Sequence, residues 1–209
     1  MAQVLAAALH DAGPHDGRPA IIAVDGRSAS GKTTLASRFA ALYEDAALVH
    51  SDDVAWWESF FDWDHLMASG ILEPLHRGRA VDYRPPAWDR RGREGSIVVA
   101  ADASLVVVEG VGVSRRSLRR FYDCAFWVQA ELDESRRRGI ARDGGSQQDI
   151  DFWNEWDREE VPFFRADQPW ARARAILCGT PKLAGVTFDA EREVLVGQMR
   201  LPEEMLGGS

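Results

Sequence analysis

The sequence predicts an α/β fold in which a five-stranded, mostly parallel sheet carries helices on both faces. Apolar runs of strand length alternate with longer segments whose apolar residues recur at helical spacing, which is the pattern of repeated βα units. The apolar centres of these runs fit a sheet that is covered on both sides. The five predicted strands are Ile21–Asp25, Ala47–Ser51, Leu105–Glu109, Ala125–Val128 and Ala175–Cys178.

The composition limits the class of protein. The chain has 209 residues, of which 45% are apolar and 28% charged, and these values are normal for one globular domain. Its net charge of −8 argues against nucleic acid as a partner, because domains that bind phosphate backbones usually carry a basic face. The apolar stretch Val4 to Leu9 is too short for a signal peptide or a membrane span. We therefore expect a cytoplasmic protein that does not bind membranes. The protein could form homo-oligomers.

A glycine-rich motif follows the first predicted strand. Residues 26–33 match G-x-x-x-x-G-K-[ST] completely, and an amphipathic helix is predicted from Lys32 to Tyr43. Inward-facing backbone N–H groups and the helix N-terminus would hold the phosphates of ATP, so the fold is interpreted as a P-loop NTPase. Lys32 would reach the β- and γ-phosphates, and Thr33 would ligate Mg²⁺. The predicted nucleotide-binding residues are Gly26, Arg27, Ser28, Ala29, Ser30, Gly31, Lys32, Thr33 and Thr34.

Carboxylates follow two of the predicted strands. Glu109 ends an apolar strand in the Walker B position, from which an acid holds Mg²⁺ through a water molecule. Asp52 and Asp53 follow the second strand, at the sheet edge where open α/β sheets bind ligands. We expect Asp52 to accept the proton of an attacking hydroxyl. The alternative is that Asp53 caps a helix through Phe60 and that Asp52 is exposed without a role.

A cluster of arginines precedes a break at Gly144-Gly145. Arg138 and Arg142 are four residues apart and share one helix face, whereas Arg136 and Arg137 point elsewhere. Guanidinium groups on a mobile segment could neutralise the transferring phosphoryl group and exclude water, so we predict an arginine-bearing lid. The alternative is a solvated basic face that pairs with the acidic surface.

Aromatic residues concentrate between the second and third predicted strands. Together with Asp52 they should lie over one sheet edge, where they could line an acceptor pocket, although aromatic residues at helical spacing are more often core. For Trp153, Trp156 and Phe163 we favour packing. The predicted acceptor-binding residues are Asp53, Trp57, Tyr83, Trp88 and Asp89.

Weaker patterns predict the remaining elements. Ser114 is the expected N-cap of a helix through Phe121, and Ile150–Phe164 should be helical with a kink at Pro162. Residues 78–95 are rich in Pro, Gly and Arg without a clean period, which predicts a loop or small excursion. Residues 187–196 could form a terminal strand or hairpin.

Several of these segments together resemble the uridine kinase family, within the small-molecule P-loop kinases, over residues 21–181. The resemblance implies ATP as the phosphate donor, Mg²⁺ as the cofactor and a hydroxyl group of a small molecule as the acceptor. It also implies that the loop at Gly179-Thr180 lies near adenine. Besides the P-loop, it rests on Ser51-Asp52-Asp53, Val108-Glu109-Gly110 and Arg138-Gly139-Ile140-Ala141-Arg142-Asp143.

The resemblance also assigns roles, and it has departures. Val54-Ala55 replaces the aromatic pair that usually follows the catalytic Asp, and Trp88-Asp89 stands where a Tyr-Asp acceptor contact is expected. The resemblance implies a nucleoside such as uridine or cytidine as the acceptor. Because of these departures, a polar metabolite of similar size is an equal alternative. The implied catalytic residues are Lys32, Asp52, Arg138 and Arg142.

Two other functions stay open. A nucleoside-monophosphate kinase would need basic residues for the acceptor phosphate, and Arg84, Arg90, Arg91 and Arg93 could provide them. A protein of another class would hold ATP as a switch without transferring phosphate. We interpret residues 1–209 as one kinase domain. Its expected parts are a core at 21–181, an acceptor-side excursion at 53–95, a lid at 133–149 and a tail at 182–209.

Overall fold

The computed structural model describes residues 1–12, 17–179, 189 and 192–197. The strands of this part are β1 (Ala20–Gly26), β2 (Ala47–His50), β3 (Val81–Tyr83), β4 (Ile97–Val99), β5 (Leu105–Gly110), β6 (Cys124–Gln129), β7 (Ala175–Cys178) and β8 (Val196–Gly197). The α-helices are α1 (Ala2–Ala12), α2 (Lys32–Ala40), α3 (Ser51–Ala55), α4 (Asp64–Met67), α5 (Glu73–His76), α6 (Pro86–Arg91), α7 (Leu132–Asp143) and α8 (Gln147–Asp167).

The main sheet has the strand order β2-β5-β1-β6-β7-β8. The first five of these strands are parallel, and they are the five that the sequence predicts, with bounds that shift by at most one residue. β8 adds a sixth, antiparallel strand through the pairing of Leu177 with Val196, so the expected count of five was one too low. Of the predicted terminal strand at 187–196, residues 187, 188, 190 and 191 lie outside the described part of the chain.

Both faces of the sheet are buried, as the apolar strands predict. Successive side chains of β1 point to opposite faces of the sheet. Ile22 packs with α1 and α2 around Phe39, whereas Ile21 packs on the other face with the segment between β2 and β5. On that second side, α8 closes a further cluster around Trp127 and Phe164. The parallel strands thus end at one sheet edge between two covered faces, and the loops at this edge are left to bind ligands.

Residues 78–95 are more ordered than their sequence suggests. β3 pairs with β4 in a small antiparallel sheet, and α6 follows β3, so a plain loop is wrong for about half of this segment, and the alternative of a small excursion agrees with the structure. Each element is only three to six residues long, which is too short for a period to show in the sequence. Val81, Trp88 and Ile97 fix these elements because all three side chains are buried in the core.

The helix boundaries differ from the predictions in three places. α2 ends at Ala40 instead of Tyr43, and α8 starts earlier, where Ser146 and Asp149 form a capping box. In place of the α-helix expected to follow Ser114, the described residues 114–121 contain a 3₁₀ turn at Arg119–Phe121. Across the described residues, no helix combines the length and the apolar character that a membrane crossing requires.

Asp25 explains why Ser114 does not cap a helix. This carboxylate is fully buried at the end of β1, and it accepts hydrogen bonds from the backbone N–H groups of Gly26, Gly112 and Ser114 and from the Ser114 hydroxyl. Burial raises the pKa of Asp25 above its ordinary value, while these hydrogen bonds act in the opposite direction. Asp25 therefore ties the start of the glycine-rich loop to the segment that follows β5.

We predict that Asp25→Ala lowers the free energy of unfolding by at least about 3 kcal/mol, because each buried donor left unsatisfied costs about 1–3 kcal/mol. Urea denaturation measures this change. Asp45→Ala is the matched control, since Asp45 is exposed and accepts one side-chain hydrogen bond, from Ser104. A loss for Asp25→Ala no larger than that of the control would show that Asp25 does not hold the two loops together.

Candidate functional site

The glycine-rich loop lies between β1 and α2, and both of its motif glycines are required by the geometry. Gly31 has a φ of +96° at the N-terminal cap of α2, a conformation that other residues rarely adopt. A Cβ atom on Gly26 would lie 2.5 Å from the carbonyl oxygen of Val128 on the neighbouring strand β6. Because α2 begins at Lys32, its unpaired N–H groups face the loop and favour an anion there.

The residues expected to contact phosphate and metal lie close together. Lys32 Nζ donates to the carbonyl oxygen of Arg27 at 3.2 Å, so its ammonium group lies over the loop. The Thr33 hydroxyl donates to Glu109 Oε1 at 3.2 Å, and Glu109 is 4% exposed. A hydroxyl and a carboxylate side by side suit Mg²⁺, which prefers oxygen ligands, so Thr33 and Glu109 fit the predicted metal site.

His50 lies beside Thr33 and Glu109, although the sequence did not identify it as a site residue. Its Nδ1 atom lies 2.6 Å from Glu109 Oε1, the same oxygen that Thr33 contacts. The Glu109 carboxylate raises the pKa of His50 above its ordinary value, against the opposing effect of burial. Because His50 is the last residue of β2 and pairs in register with Glu109 on β5, the contact follows from the strand order, which the sequence alone does not show.

The side chain of Arg27 is directed to α8 and away from the cavity. It pairs with Glu160 at 2.8 Å and with Asp157 at 3.2 Å, and it is 6% exposed. Glu160, which is 1% exposed, also accepts a hydrogen bond from the backbone N–H of Ser28 at 2.9 Å. The Arg27 side chain therefore anchors the glycine-rich loop, although it was predicted among the nucleotide-binding residues. No sequence signal distinguished Glu160 from the other acids of its helix.

A cavity of about 680 Å³ opens beside this loop. Its volume is within the range of roughly 300–1,000 Å³ that is usual for small-molecule sites. Asp52, exposed in the first turn of α3, lines it opposite residues of the loop. The cavity brings together nine residues that the sequence had placed in the donor site, the metal site or the catalytic set: Ser28, Ala29, Gly31, Lys32, Thr33, Asp52, Glu109, Arg138 and Arg142.

α7 carries the arginine face of the cavity and packs firmly on α8. Arg138 and Arg142 both line the cavity, in keeping with their spacing, whereas Arg136 pairs with Asp157 on α8. A Cβ atom on residue 139 would lie 1.8 Å from the ring of Trp153, so Gly139 permits the close approach of the two helices. The arginine face is therefore fixed relative to α8.

Most of the predicted acceptor residues lie behind the cavity wall. Trp57 lines the cavity, but Asp53 pairs with Arg93, and Trp88 is 4% exposed in the core, where its Nε1 donates to the Asp53 carbonyl at 2.8 Å. Tyr83 packs on Gly70, and Asp89 pairs with Arg84. The structure places these four outside the cavity because β3, β4 and α6 fold against the core.

The aromatic wall of the cavity comes instead from residues 56–63 and from α8. The sequence favoured packing for Trp153 and Trp156, and they do pack, yet they also line the cavity. Which helix face meets the cavity depends on the contact of α7 with α8, so the sequence offered no signal for it. The aromatic lining residues from the two segments are Trp56, Trp57, Phe60, Trp63, Phe152, Trp153 and Trp156.

A second cavity of about 270 Å³ lies on the other side of the loop. Gly31 and Arg138 line both cavities, and Thr34, Cys178 and Gly179 line the second. A Cβ atom on Gly179 would lie 1.9 Å from the carbonyl oxygen of Ser30, so the end of β7 touches the glycine-rich loop. This is the position that the resemblance gives to adenine, although Thr180 is outside the described residues.

Fold and loop together define a P-loop NTPase architecture. No family model and no curated protein matches the chain. Among solved structures, the chain is similar to a possible uridine kinase from Bacillus stearothermophilus, at 17% identity and a TM-score of 0.51 over 83% of this chain and 96% of that one. It is also similar to a candidate fructose transport system kinase from Silicibacter sp. TM1040, at 17% identity and a TM-score of 0.56 over 78% and 93%. The chain therefore has the fold of uridine kinase-like P-loop kinases.

Two cysteines allow a test of where the nucleotide lies. Cys178 is exposed beside the second cavity, whereas burial raises the pKa of Cys124 to about 12, so Cys124 carries almost no reactive thiolate near neutral pH. We predict that iodoacetamide labels Cys178 selectively and that ATP with Mg²⁺ slows this labelling in proportion to the bound fraction, as mass spectrometry measures. Cys124 should be labelled only after denaturation. Equal rates at Cys178 with and without nucleotide would place the nucleotide elsewhere.

Proposed function

We propose that the protein is an ATP- and Mg²⁺-dependent kinase that moves the γ-phosphate of ATP to a hydroxyl group of a small molecule. The observation that supports this best is one cavity lined both by the phosphate-binding residues and by a carboxylate, Asp52, which can serve as a base. A nucleoside such as uridine or cytidine is the first acceptor class to test, because the resemblance to uridine kinases supplies it.

The proposed chemistry assigns one task to each residue. The acceptor O–H gives its proton to Asp52, the acceptor oxygen bonds to the γ-phosphorus, and the oxygen that bridges the β- and γ-phosphates leaves with ADP. Lys32 and the guanidinium groups of Arg138 and Arg142 stabilise the negative charge on the transferring group. Thr33 and Glu109 would hold Mg²⁺, which when bound neutralises charge on the β- and γ-phosphates.

The arginines that a nucleoside-monophosphate kinase would need are engaged elsewhere. Arg84 pairs with Asp89, Arg90 pairs with Glu58, and Arg91 lies over the ring of Trp57. Arg93 pairs with Asp53 and lies 3.7 Å from the ring centre of Trp88. None of the four lines the main cavity, so the described residues favour an acceptor without a phosphate group.

Radiolabelled ATP tests the proposal, with transfer measured to a panel of nucleosides and other alcohols and to a panel of monophosphates. We predict that Lys32→Ala loses ATP affinity and lowers turnover by about 10²- to 10³-fold, because its ammonium group contacts phosphates in both the ground and transition states. Arg137→Ala is the control, since Arg137 lies outside both cavities and is paired with Glu134. Unchanged affinity and turnover in Lys32→Ala would make the proposed donor site wrong.

Asp52→Asn separates catalysis from the binding of ATP. We predict a loss of turnover of about 10²- to 10⁴-fold with unchanged ATP affinity and unchanged stability, because the amide cannot accept the proton. The neighbouring change Asp53→Asn is the matched control, since Asp53 pairs with Arg93 outside the cavity. If Asp52→Asn retained turnover, Asp52 would not be the base, and an ATP-binding switch without transfer would be favoured if no acceptor on either panel were phosphorylated.

A further inference from the structure

The main cavity has a charged half and an aromatic half. The charged half contains the glycine-rich loop and the basic side chains of Lys32, Arg138 and Arg142. The aromatic half lies between residues 56–63 and α8, and its rings contact one another, as Phe60 and Trp156 do at 5.5 Å between ring centres. Aromatic faces of this kind bury flat apolar groups well.

The nucleotide does not need the aromatic half. Gly31 and Arg138 line both cavities, so a nucleotide can place its phosphates on the loop and its base in the second cavity, beside Gly179. The aromatic half, next to Asp52, is then left for the acceptor. This step rests on the proposed function, because it uses the loop as the ATP site and Asp52 as the base.

The carboxylates of the aromatic half are already paired, apart from Asp52. Glu58 pairs with Arg90 at 2.8 Å, and Asp143 pairs with Arg142 at 2.8 Å. No described residue forms a hydrogen bond with Asp52. The aromatic half thus leaves an acceptor one unpaired carboxylate, that of Asp52, within walls that are mostly aromatic.

This lining discriminates between classes of acceptor. The edge of a pyrimidine base carries several donors and acceptors, and each one left unpaired after burial weakens binding. A phosphate or carboxylate would face Asp52 and Glu58 without a free cation in that half of the cavity. An apolar ring with one hydroxyl group carries no such additional donors or acceptors, and its hydroxyl group can donate to Asp52.

We infer that the acceptor is an uncharged aromatic alcohol, whose ring lies between residues 56–63 and α8 and whose hydroxyl points to Asp52. The inference replaces the polar nucleoside, which came from the resemblance, with a class that the cavity walls select. The probes are 2-(indol-3-yl)ethanol and 2-phenylethanol, compared with uridine, fructose and uridine monophosphate.

Isothermal titration calorimetry measures binding without any need for turnover. Five of the eight tryptophans line the main cavity, at positions 56, 57, 63, 153 and 156, so an aromatic ligand should bury its ring against them. With ATP analogue and Mg²⁺ present, we expect at least one of the two aromatic alcohols to bind about tenfold or more tightly than uridine, fructose or uridine monophosphate.

Variants locate the bound ring. Phe60→Ala removes part of the aromatic wall and should weaken binding of the aromatic alcohol about tenfold, since it removes one ring contact and its buried area. Tyr43→Ala is the control, because Tyr43 is an exposed aromatic outside both cavities and its removal should change nothing. Each variant is first checked for unchanged stability and unchanged binding of the ATP analogue.

The outcomes separate the inference from the proposed function. Binding of an aromatic alcohol that Phe60→Ala weakens, but without phosphate transfer from ATP, would support the inferred ligand class and contradict the kinase. Transfer to uridine, fructose or a monophosphate, with those ligands bound more tightly than both aromatic alcohols, would support the kinase and overturn the inference. An equal effect of Phe60→Ala and Tyr43→Ala, or no binding of either aromatic alcohol, would also overturn it.

Discussion

The geometry of the site depends on two buried carboxylates that hold the glycine-rich loop from opposite sides. Asp25 accepts a hydrogen bond from the backbone N–H of Gly26 at the start of the loop. Glu160, a residue of α8, accepts one from the backbone N–H of Ser28. Buried backbone donors need partners, and these two acids satisfy donors that do not face the cavity. Since Asp25 also binds the segment after β5 and Glu160 pairs with Arg27, the loop is fixed relative to β5, which carries Glu109.

The sequence predicted that the glycine-rich loop and β5 contribute to one site, and it could do so because the motifs involved are local. A P-loop motif identifies the residues that follow β1 and begin α2. A carboxylate at the end of a parallel apolar strand lies at the same edge of the sheet as this loop. Lys32, Thr33 and Glu109 therefore share a cavity whatever the rest of the chain does. The sheet was predicted for the same reason, apart from the place of β8 in it, because two residues are too few to show a period.

The acceptor side could not be predicted because it is built from contacts between distant segments. The sequence placed Trp88 over the sheet edge with Asp52, yet Trp88 is buried in the core. Trp156 instead reaches the cavity, from a helix about a hundred residues after Asp52. Periodicity identifies which residues share a helix face, but it does not say whether that face meets the core, the solvent or a cavity. Glu160 was missed for the same reason, since an acid on a charged helix gives no sign that it is 1% exposed.

α7 and α8 connect the two halves of the cavity through three side chains that contact one another. Trp153 packs on Gly139, lines the aromatic half and donates from Nε1 to Asp143, which in turn pairs with Arg142. The pair of Arg142 with Asp143 is largely exposed and therefore weak, so a phosphate group can replace the carboxylate as the partner of this guanidinium group. A released Asp143 would change the environment of Trp153. Phosphate binding on one side of the cavity would thus change the contacts of the Trp153 ring on the side proposed for the acceptor.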